Sequence, residues 1–493
     1  MHQPGEPTIK PVFLLAGLVK TAHEFGKFAR LCGLSGCLVA AGACSSNTDS
    51  GTVPSFVRGG TSGVGGRTAQ VGGSQQGGAS GAGNGGASTL TQTGGASGAT
   101  VGSGGATQPP YVEPSETLDL NAVPSSVPTV RLDVDPAAIA TLEQNPFDAA
   151  DVTGTFTDSS GVRYEGIQVN YRGAYQLQNL IRGEGSQRNW KLKFAKAQMY
   201  RARREWNFNY EPHIRQELAY DLMRFAGLKV PSARHVVLMV NGQRSGLFLE
   251  YEDPDNKDFL QDKFADDSGD LYKASTDIPG QTPYFGTTEY LGDQDSAYLQ
   301  RYQKKTNNDK APEDYAVLRA FLQGLNSTPE SELEAWVTQH FDAQKFVRYL
   351  AVDNFISGWD GMPQRPKNYW LYEVRAAGRW VFIPWDMDAT FQVRTTRLNP
   401  MGTNASIFYQ LDAFESYQLS MNEGQERPLV RRLLKIPAIR TAYLQAYKTA
   451  LTTYLEKTYL LNRISRLQAL VEAQASADEL MELQDARSDM QQF

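Results

Sequence analysis

The spacing of apolar and polar positions changes sharply near residue 127, where regular patterns begin. Alternating apolar residues, separated by glycine-containing turns, predict strands in four segments: 130–134, 151–158, 164–172 and 189–194. Asp135-Pro136 predicts a short helix that runs to Leu142. Residues 212–227 instead place apolar side chains three or four positions apart, and Gly227 follows the last of them. This spacing predicts an amphipathic helix.

Two hairpins and a run of helices complete the pattern. Asn241-Gly242 between two apolar runs predicts a hairpin over 235–251. Helical periodicity then dominates, at 255–266, 313–324, 329–340, 342–357, after Pro437 and around 464–474. A second hairpin, 369–374 with 380–385, interrupts these helices, and the tail after Leu460 shows no strong capping signal. The chain is therefore expected to be α+β, with a β-rich half over 111–250 and a mainly helical half over 251–493.

The first part of the chain has no such pattern. Of the chain's 493 residues, 45 are glycine, and residues 44–110 are rich in glycine, serine and threonine. A segment of this composition buries too little apolar area to offset the entropy of ordering it. We expect 44–110 to be a disordered tether.

Residues 1–43 have the parts of a secretory signal. Lys27 and Arg30 precede the apolar run 31–43, and Ala41-Gly42-Ala43 stands directly before Cys44. This junction resembles the lipobox of bacterial lipoproteins, which implies lipidation of Cys44 and an exported protein anchored to a membrane, facing the periplasm or cell surface. Ordinary signal cleavage, or an apolar helix, stays open as an alternative.

The cysteine content and the net charge limit the kinds of protein to which the folded part can belong. All three cysteines lie at or before Cys44, so no disulfide is expected beyond it. The formal net charge of −6 gives no sign of a nucleic-acid-binding surface. No H-E-x-x-H zinc motif occurs in the sequence.

The first cluster with chemical potential joins Arg172-Gly173 to a short strand that carries two lysines. On that strand Lys191 and Lys193 share one face, and the apolar Trp190 and Leu192 share the other. Two lysines beside a glycine turn suit phosphate groups. A solvated strand edge has the same pattern, so both interpretations stay open.

The second cluster gathers oxygen ligands around the predicted second hairpin. Asp360 follows a helix, Asn368 opens one strand, and Asp386 and Asp388 follow the returning strand. Carboxylate and amide oxygens are the groups that Mg²⁺ requires. The alternative is a set of helix caps and turns exposed to solvent.

These residues occur in an order that resembles a known family, the spore-coat protein H (CotH) kinases, which are atypical secreted protein kinases. The matching motifs run over about residues 127–450: Arg172-Gly173, Lys193-Phe194, Asn207-Phe-Asn209, Arg215, Asn241-Gly242, Gly246-Leu-Phe248, Glu252, Leu271-Tyr-Lys273, Asp353-Asn354, Trp359-Asp360, Asn368-Tyr-Trp-Leu-Tyr372 and Ile383-Pro-Trp-Asp-Met-Asp388. The resemblance implies a two-lobed, kinase-like fold that uses ATP and Mg²⁺, with Mn²⁺ as an alternative ion.

The resemblance also implies roles in nucleotide binding. Lys193 would hold the α- and β-phosphates, and Arg172 and Lys191 would add positive charge beside them. A carboxylate normally fixes such a lysine, and either Glu217 or Glu252 could supply it.

For catalysis, the resemblance implies that Asp360 orients and deprotonates the acceptor hydroxyl. Asn368 and Asp386 would hold the metal, with Asp388 as a rival or second ligand. The chain departs from ordinary kinases in two ways: it has no glycine-rich loop, and the interval from Asp360 to Asn368 is longer than in H-R-D-x-x-x-x-N.

Three functions follow from these observations. The first is transfer of the ATP γ-phosphate to Ser/Thr hydroxyls of an extracytoplasmic or coat protein. The second is a catalytically inactive, membrane-tethered binding or structural module of the cell envelope or spore coat. The third takes Asp360 with Asp386 or Asp388 as the paired carboxylates of a glycosidase.

Overall fold

The computed structural model describes residues 111–183, 187–274, 285–308, 314–393, 405–409, 411 and 427–493. From Tyr111 onward the chain belongs to one compact unit. The predicted signal peptide, Cys44 and the tether lie outside the described residues. Within the described part, no helix combines the length and apolar character needed to cross a bilayer.

Within the described residues, seven strands close into a barrel. They are β1 (Thr129–Val134), β2 (Val152–Thr157), β3 (Arg163–Arg172), β4 (Asn189–Lys193), β5 (Glu205–Tyr210), β6 (Ala233–Val240) and β7 (Gln243–Glu252). Their order around the barrel is β1-β2-β3-β4-β5-β7-β6, and β1 closes it by pairing with β6 in parallel. Closure leaves no unpaired strand edge.

Side-chain alternation explains how the barrel is filled. Each strand sends alternate residues inward, and an aromatic cluster fills the interior, including Phe156, Phe194, Trp206 and Phe208. The predicted first hairpin is confirmed: β6 and β7 meet at Val240 and Gln243. Asn241 and Gly242 both have positive φ, at 49° and 77°, as a tight hairpin turn requires.

Twelve helices lie in the described part of the chain, most of them after the barrel. They are α1 (Pro136–Gln144), α2 (Ala174–Ile181), α3 (Arg215–Phe225), α4 (Lys257–Phe264), α5 (Ser296–Leu299), α6 (Ala316–Ser327), α7 (Glu330–His340), α8 (Ala343–Phe355), α9 (Pro428–Lys435), α10 (Pro437–Leu451), α11 (Lys457–Glu472) and α12 (Ala477–Gln492). The β-rich and helical regions confirm the α+β class.

The predicted second hairpin is confirmed and belongs to a larger sheet. Four strands form it: β8 (Leu271–Ala274), β9 (Tyr302–Lys304), β10 (Tyr369–Val374) and β11 (Arg379–Pro384). Their order is β11-β10-β8-β9, with all neighbours antiparallel. Because β10 and β11 pair along their full length, the residues just before β10 lie beside those just after β11.

A continuous apolar core joins the barrel to the helical region. The outward side chains Leu247, Leu249 and Tyr251 of β7 pack into the same cluster as α3, α8 and the four-stranded sheet. The tail after Leu460 is part of this core, contrary to the expectation from its weak caps. Its last helix begins at a capping box formed by Ser476 and Glu479.

Candidate active site

The β10–β11 hairpin brings Asn368 and Asp386 together. The backbone N–H of Trp385 donates to the carbonyl of Asn368 at 2.9 Å, which extends the pairing by one step beyond the strands. Asn368 and Asp386 both have positive φ, at 57° and 53°. Such conformations in residues other than glycine concentrate at functional sites.

Asp360 is fixed by three side chains from the segment that follows it. Its carboxylate accepts from Lys367 at 2.7 Å, from Arg365 at 3.1 Å and from the side-chain amide of Asn368 at 3.0 Å. Its backbone carbonyl also accepts from Asn368 at 3.1 Å. Asp360 is therefore an oriented, ion-paired carboxylate, and the long interval before Asn368 supplies the two cations that hold it.

Asp386 and Asp388 differ from Asp360 in having no such donors. Among the described residues, neither carboxylate forms a hydrogen bond or an ion pair. The backbone N–H of Asp386 is fixed by the hydroxyl of Tyr220, at 3.2 Å. Asp388 is exposed to solvent, although the chain around its carboxylate still desolvates that group. Desolvation and the nearby charges of Asp386 and Asp360 raise the pKa of Asp388 to about 8.

Cations from both regions of the fold face Asp386. Desolvation raises the pKa of Asp386, whereas the charges of Lys367, Arg172 and Lys273 oppose that rise. Lys367 precedes β10, Lys273 lies on β8, and Arg172 ends β3 of the barrel. The polar site therefore lies where the barrel meets the helical region.

Arg172 connects the barrel to the carboxylate strand end. Its guanidinium donates to the Asn209 side chain and to the Tyr251 hydroxyl. It also lies 5.9 Å from the ring centroid of Trp385, the residue before Asp386. Two barrel strands thus hold Arg172 with its charge directed at Asp386.

Lys191 takes part in the same charge network through Asp253. Its ammonium lies 3.0 Å from the Asp253 carboxylate and 2.7 Å from that of Glu205. Burial alone would raise the pKa of Asp253, but the charges of Lys191 and Arg172 outweigh burial and lower it. A line of alternating charge therefore runs from Lys191 through Asp253 and Arg172 to Asp386.

Lys193 does not belong to this line. Its ammonium pairs with Asp151 at 3.0 Å, near the start of β2. Lys191 and Lys193 do share one face of β4, but two residues along a strand separate them by roughly 7 Å. At that spacing the two lysines contact different carboxylates.

The expected pairing of Lys193 with a glutamate requires correction. Glu217 contacts His235 in a pair whose side chains are both nearly fully buried. Glu252 contacts Arg203 at 2.9 Å and accepts from the backbone N–H of Ser232 at 2.8 Å. Both glutamates already satisfy buried groups of the barrel and α3, so neither one reaches Lys193.

Asp353 and two glycines support the loop that carries Asp360. Asp353 is buried, and burial raises its pKa well above the ordinary value, while a hydrogen bond from Tyr349 opposes the rise. A Cβ atom at Gly358 would lie 2.1 Å from the Asp353 carboxylate, and one at Gly361 would lie 3.0 Å from it. Only glycine leaves room for this close approach. Asp353 stands in the motif Asp353-Asn354, and the sequence alone assigns it no role.

The donor set fits a magnesium ion shared with phosphate groups. Mg²⁺ in proteins commonly takes one or two carboxylates and completes its shell with phosphate oxygens and water. Within the described residues, Asp386 and Asp388 supply two carboxylates without competing donors, and Asn368 retains its side-chain oxygen. Among the described residues, no three His, Cys, Asp or Glu side chains are arranged to hold a metal by themselves.

Comparison with known proteins found a matching family model, a curated relative and a solved structure. A family model described as "CotH kinase protein" matches residues 169–487. "Inner spore coat protein H" of Bacillus subtilis (strain 168) is 28% identical over 278 residues, which cover 54% of this chain and 70% of that protein. A solved complex of HipA, HipB and operator DNA from Shewanella oneidensis covers 68% of this chain and 80% of its own, with 15% identity and a TM-score of 0.22. That TM-score is too low to show a shared fold.

The fold and the site define an α+β protein with a charged polar site at the junction of a β-barrel and a helical region. The matched model covers most of the described chain, including every residue of this site. The chain belongs to the CotH kinase protein family.

Proposed function

We propose that this protein is an atypical kinase that transfers the γ-phosphate of ATP to Ser/Thr hydroxyls of an extracytoplasmic or coat protein. The observation that carries the proposal is the contrast between the carboxylates at the site. Asp360 is held by Lys367 and Arg365, whereas Asp386 and Asp388 have no such partner among the described residues. Phosphoryl transfer needs two kinds of carboxylate: one that orients the acceptor hydroxyl, and others that bind the metal ion.

In this proposal the barrel and the helical region act as the two lobes of a kinase-like fold. A bound Mg²⁺ would neutralise charge on the transferred phosphoryl group, with Asp386 and Asp388 as its protein ligands and Asn368 beside them. Arg172, supported by Lys191 through Asp253, offers positive charge to the phosphates from the barrel side. Lys193 belongs to the proposal only on the family resemblance, because its ammonium pairs with Asp151.

Asp360 would accept a hydrogen bond from the substrate hydroxyl and take up its proton. The contacts with Lys367 and Arg365 keep this carboxylate oriented while the hydroxyl approaches.

The location of the protein is also a proposal. The relative in Bacillus subtilis is named as an inner spore coat protein, and we propose an exported protein of an envelope or coat, anchored through a lipid on Cys44. That printed name describes a place and not an activity, which favours the inactive binding or structural module as the second candidate.

Thermal unfolding of the full chain with ATP separates the two candidates. ATP with Mg²⁺ should raise the melting temperature, and ATP with EDTA should raise it less. At one hundred times the dissociation constant, binding stabilises the fold by about 2.7 kcal/mol. The Asp386→Asn variant should lose the part of the rise in melting temperature that depends on Mg²⁺. Asparagine tolerates the positive φ, so this change removes only the charge.

Asp133→Asn is the matched control, because Asp133 is exposed on β1 of the barrel and should respond as the unchanged protein does. Transfer of labelled phosphate to casein, a protein rich in serine, should follow the same ranking. If the unchanged protein shows no response to ATP and Mg²⁺, the kinase proposal fails and the inactive module is favoured.

A further inference from the structure

Asn207 on β5 is a buried amide that forms no side-chain hydrogen bond to the described residues. Its exposed fraction is 0%, and neither its side-chain nitrogen nor its side-chain oxygen has a hydrogen-bond partner within the part of the chain that the structure describes. A buried polar group without a partner costs about 1–3 kcal/mol. Positions that carry such a cost concentrate where function requires the group.

The register of the barrel places Asn207 in the middle of the polar strip described above. Asn207 pairs with Lys191 on one side and with Tyr251 on the other. Its neighbours along the strand, Trp206 and Phe208, fill the barrel interior, so Asn207 itself points outward. It therefore shares its face of the barrel with the residues that connect to Asp386.

The two cross-strand neighbours of Asn207 already have other partners. The Lys191 ammonium contacts Glu205 and Asp253, and the Tyr251 hydroxyl accepts from Arg172. Gln216 and Gln364 are also buried amides whose side-chain atoms lack partners. Asn207 differs from them because it lies between Lys191 and Tyr251, in the strip that carries positive charge toward the proposed phosphates.

We propose that Asn207 is a phosphate-positioning residue of the nucleotide site. When a phosphate binds, the side-chain N–H of Asn207 donates to a phosphate oxygen. Its side-chain oxygen, which has no partner among the described residues, then accepts from the ammonium of Lys191. An ammonium has three N–H donors, and the two carboxylates occupy two of them. Because Asn207 is fully buried, a neighbour must move to admit the phosphate; the Lys191 side chain, 21% exposed, is that neighbour. This inference rests on the proposed kinase function.

Asn207→Leu tests the proposal through two measurements that move in opposite directions. Leucine has the same number of side-chain heavy atoms, so it fills the space and removes both unpaired polar atoms. The melting temperature without ligand should rise. The affinity for ATP with Mg²⁺, and for inorganic tripolyphosphate with Mg²⁺, should fall at least tenfold by calorimetric titration.

Gln468→Met is the matched control. Gln468 lies on α11, and its side-chain oxygen is also buried without a partner in the described part of the chain. Its replacement should raise the melting temperature and leave both affinities unchanged. Asn207→Asp gives a second test, because it keeps the shape and exchanges the phosphate donor for a second acceptor. It should also lose at least tenfold in affinity for both ligands.

Three results would overturn the role of Asn207. One is a lower melting temperature for Asn207→Leu, which would show that the amide has a structural partner in solution. The second is a higher melting temperature with both affinities retained, and the third is retained affinity in Asn207→Asp. If the unchanged protein binds neither ligand, the kinase proposal itself fails, and the role of Asn207 fails with it.

Discussion

Replacing Glu217 with alanine distinguishes a structural glutamate from a nucleotide-site glutamate. The Glu217 side chain is 4% exposed and contacts one ring nitrogen of His235, whose side chain is 2% exposed. The other ring nitrogen contacts the carbonyl of Glu211 at 3.0 Å. Removing the carboxylate leaves a buried imidazole nitrogen without a partner. Breaking a buried pair in this way costs about 3–5 kcal/mol, and a neutral unpaired group costs about 1–3 kcal/mol, so we expect a loss of about 3 kcal/mol.

Urea unfolding of the full chain measures this loss. With a slope of about 3 kcal/mol/M, the expected loss shifts the midpoint by about 1 M. Glu217→Gln, which keeps one hydrogen-bonding atom near His235, should lose clearly less. The ATP-dependent rise in melting temperature should persist in both variants, because Glu217 does not contact Lys193.

The opposite result would refute this reasoning. A loss of less than about 1 kcal/mol, together with a lost response to ATP, would place Glu217 in the nucleotide site as the lysine partner. Glu252→Ala provides a parallel case, since Glu252 is bound to Arg203 and Ser232. It should also destabilise the fold and leave the ATP response intact.

Three further results are expected. Glu479→Ala should destabilise the fold by about 2 kcal/mol and speed hydrogen exchange at the amide of Leu247, which donates to Glu479 at 2.6 Å. Unchanged exchange at Leu247 would show that α12 does not hold β7 through this hydrogen bond. Gly358→Ala should lower both the melting temperature and phosphate transfer, since its Cβ would lie 2.1 Å from Asp353. Normal phosphate transfer would contradict the statement that the contact of Gly358 with Asp353 supports the loop that carries Asp360. The pKa of Asp388 is raised from 3.8 to about 8 in the folded state, so in EDTA the stability of the protein should fall as the pH rises through that range, because the folded state holds the proton more tightly than the unfolded state does. Asp388→Asn should flatten the plot of melting temperature against pH. An unchanged plot in this variant would contradict the raised pKa.

Local patterns in the sequence were sufficient for most of the fold. Alternation predicted β3 and β4, the Asn241-Gly242 pair predicted the first hairpin, and helical spacing predicted α3. The second hairpin was also predicted, and with it the approach of Asn368 to Asp386. These features depend on neighbours in sequence, where steric preference and periodicity act directly.

The strand β5 and the N-terminal cap of α12 were not predicted, although the sequence contains a pattern typical of each. The strand β5 was not predicted, even though Trp206 and Phe208 alternate with polar residues. Ser476-Ala-Asp-Glu479 has the S-x-x-E form of a capping box, yet the tail was expected to lack strong caps. Arg365 and Lys367 likewise stood in the interval between Asp360 and Asn368, where their charges could have been noticed.

The sequence by itself determined the elements, the faces of the strands and the order of the motifs. Only the tertiary structure decided which charges meet: Lys191 with Asp253, Lys193 with Asp151, and Glu217 with His235. Alternation fixes the side of a strand on which a lysine points, but its partner depends on the register of strands and helices distant in sequence. That register follows from closing the barrel and packing it on the helical region. Both steps bury apolar surface from distant parts of the described chain, and no local pattern encodes them.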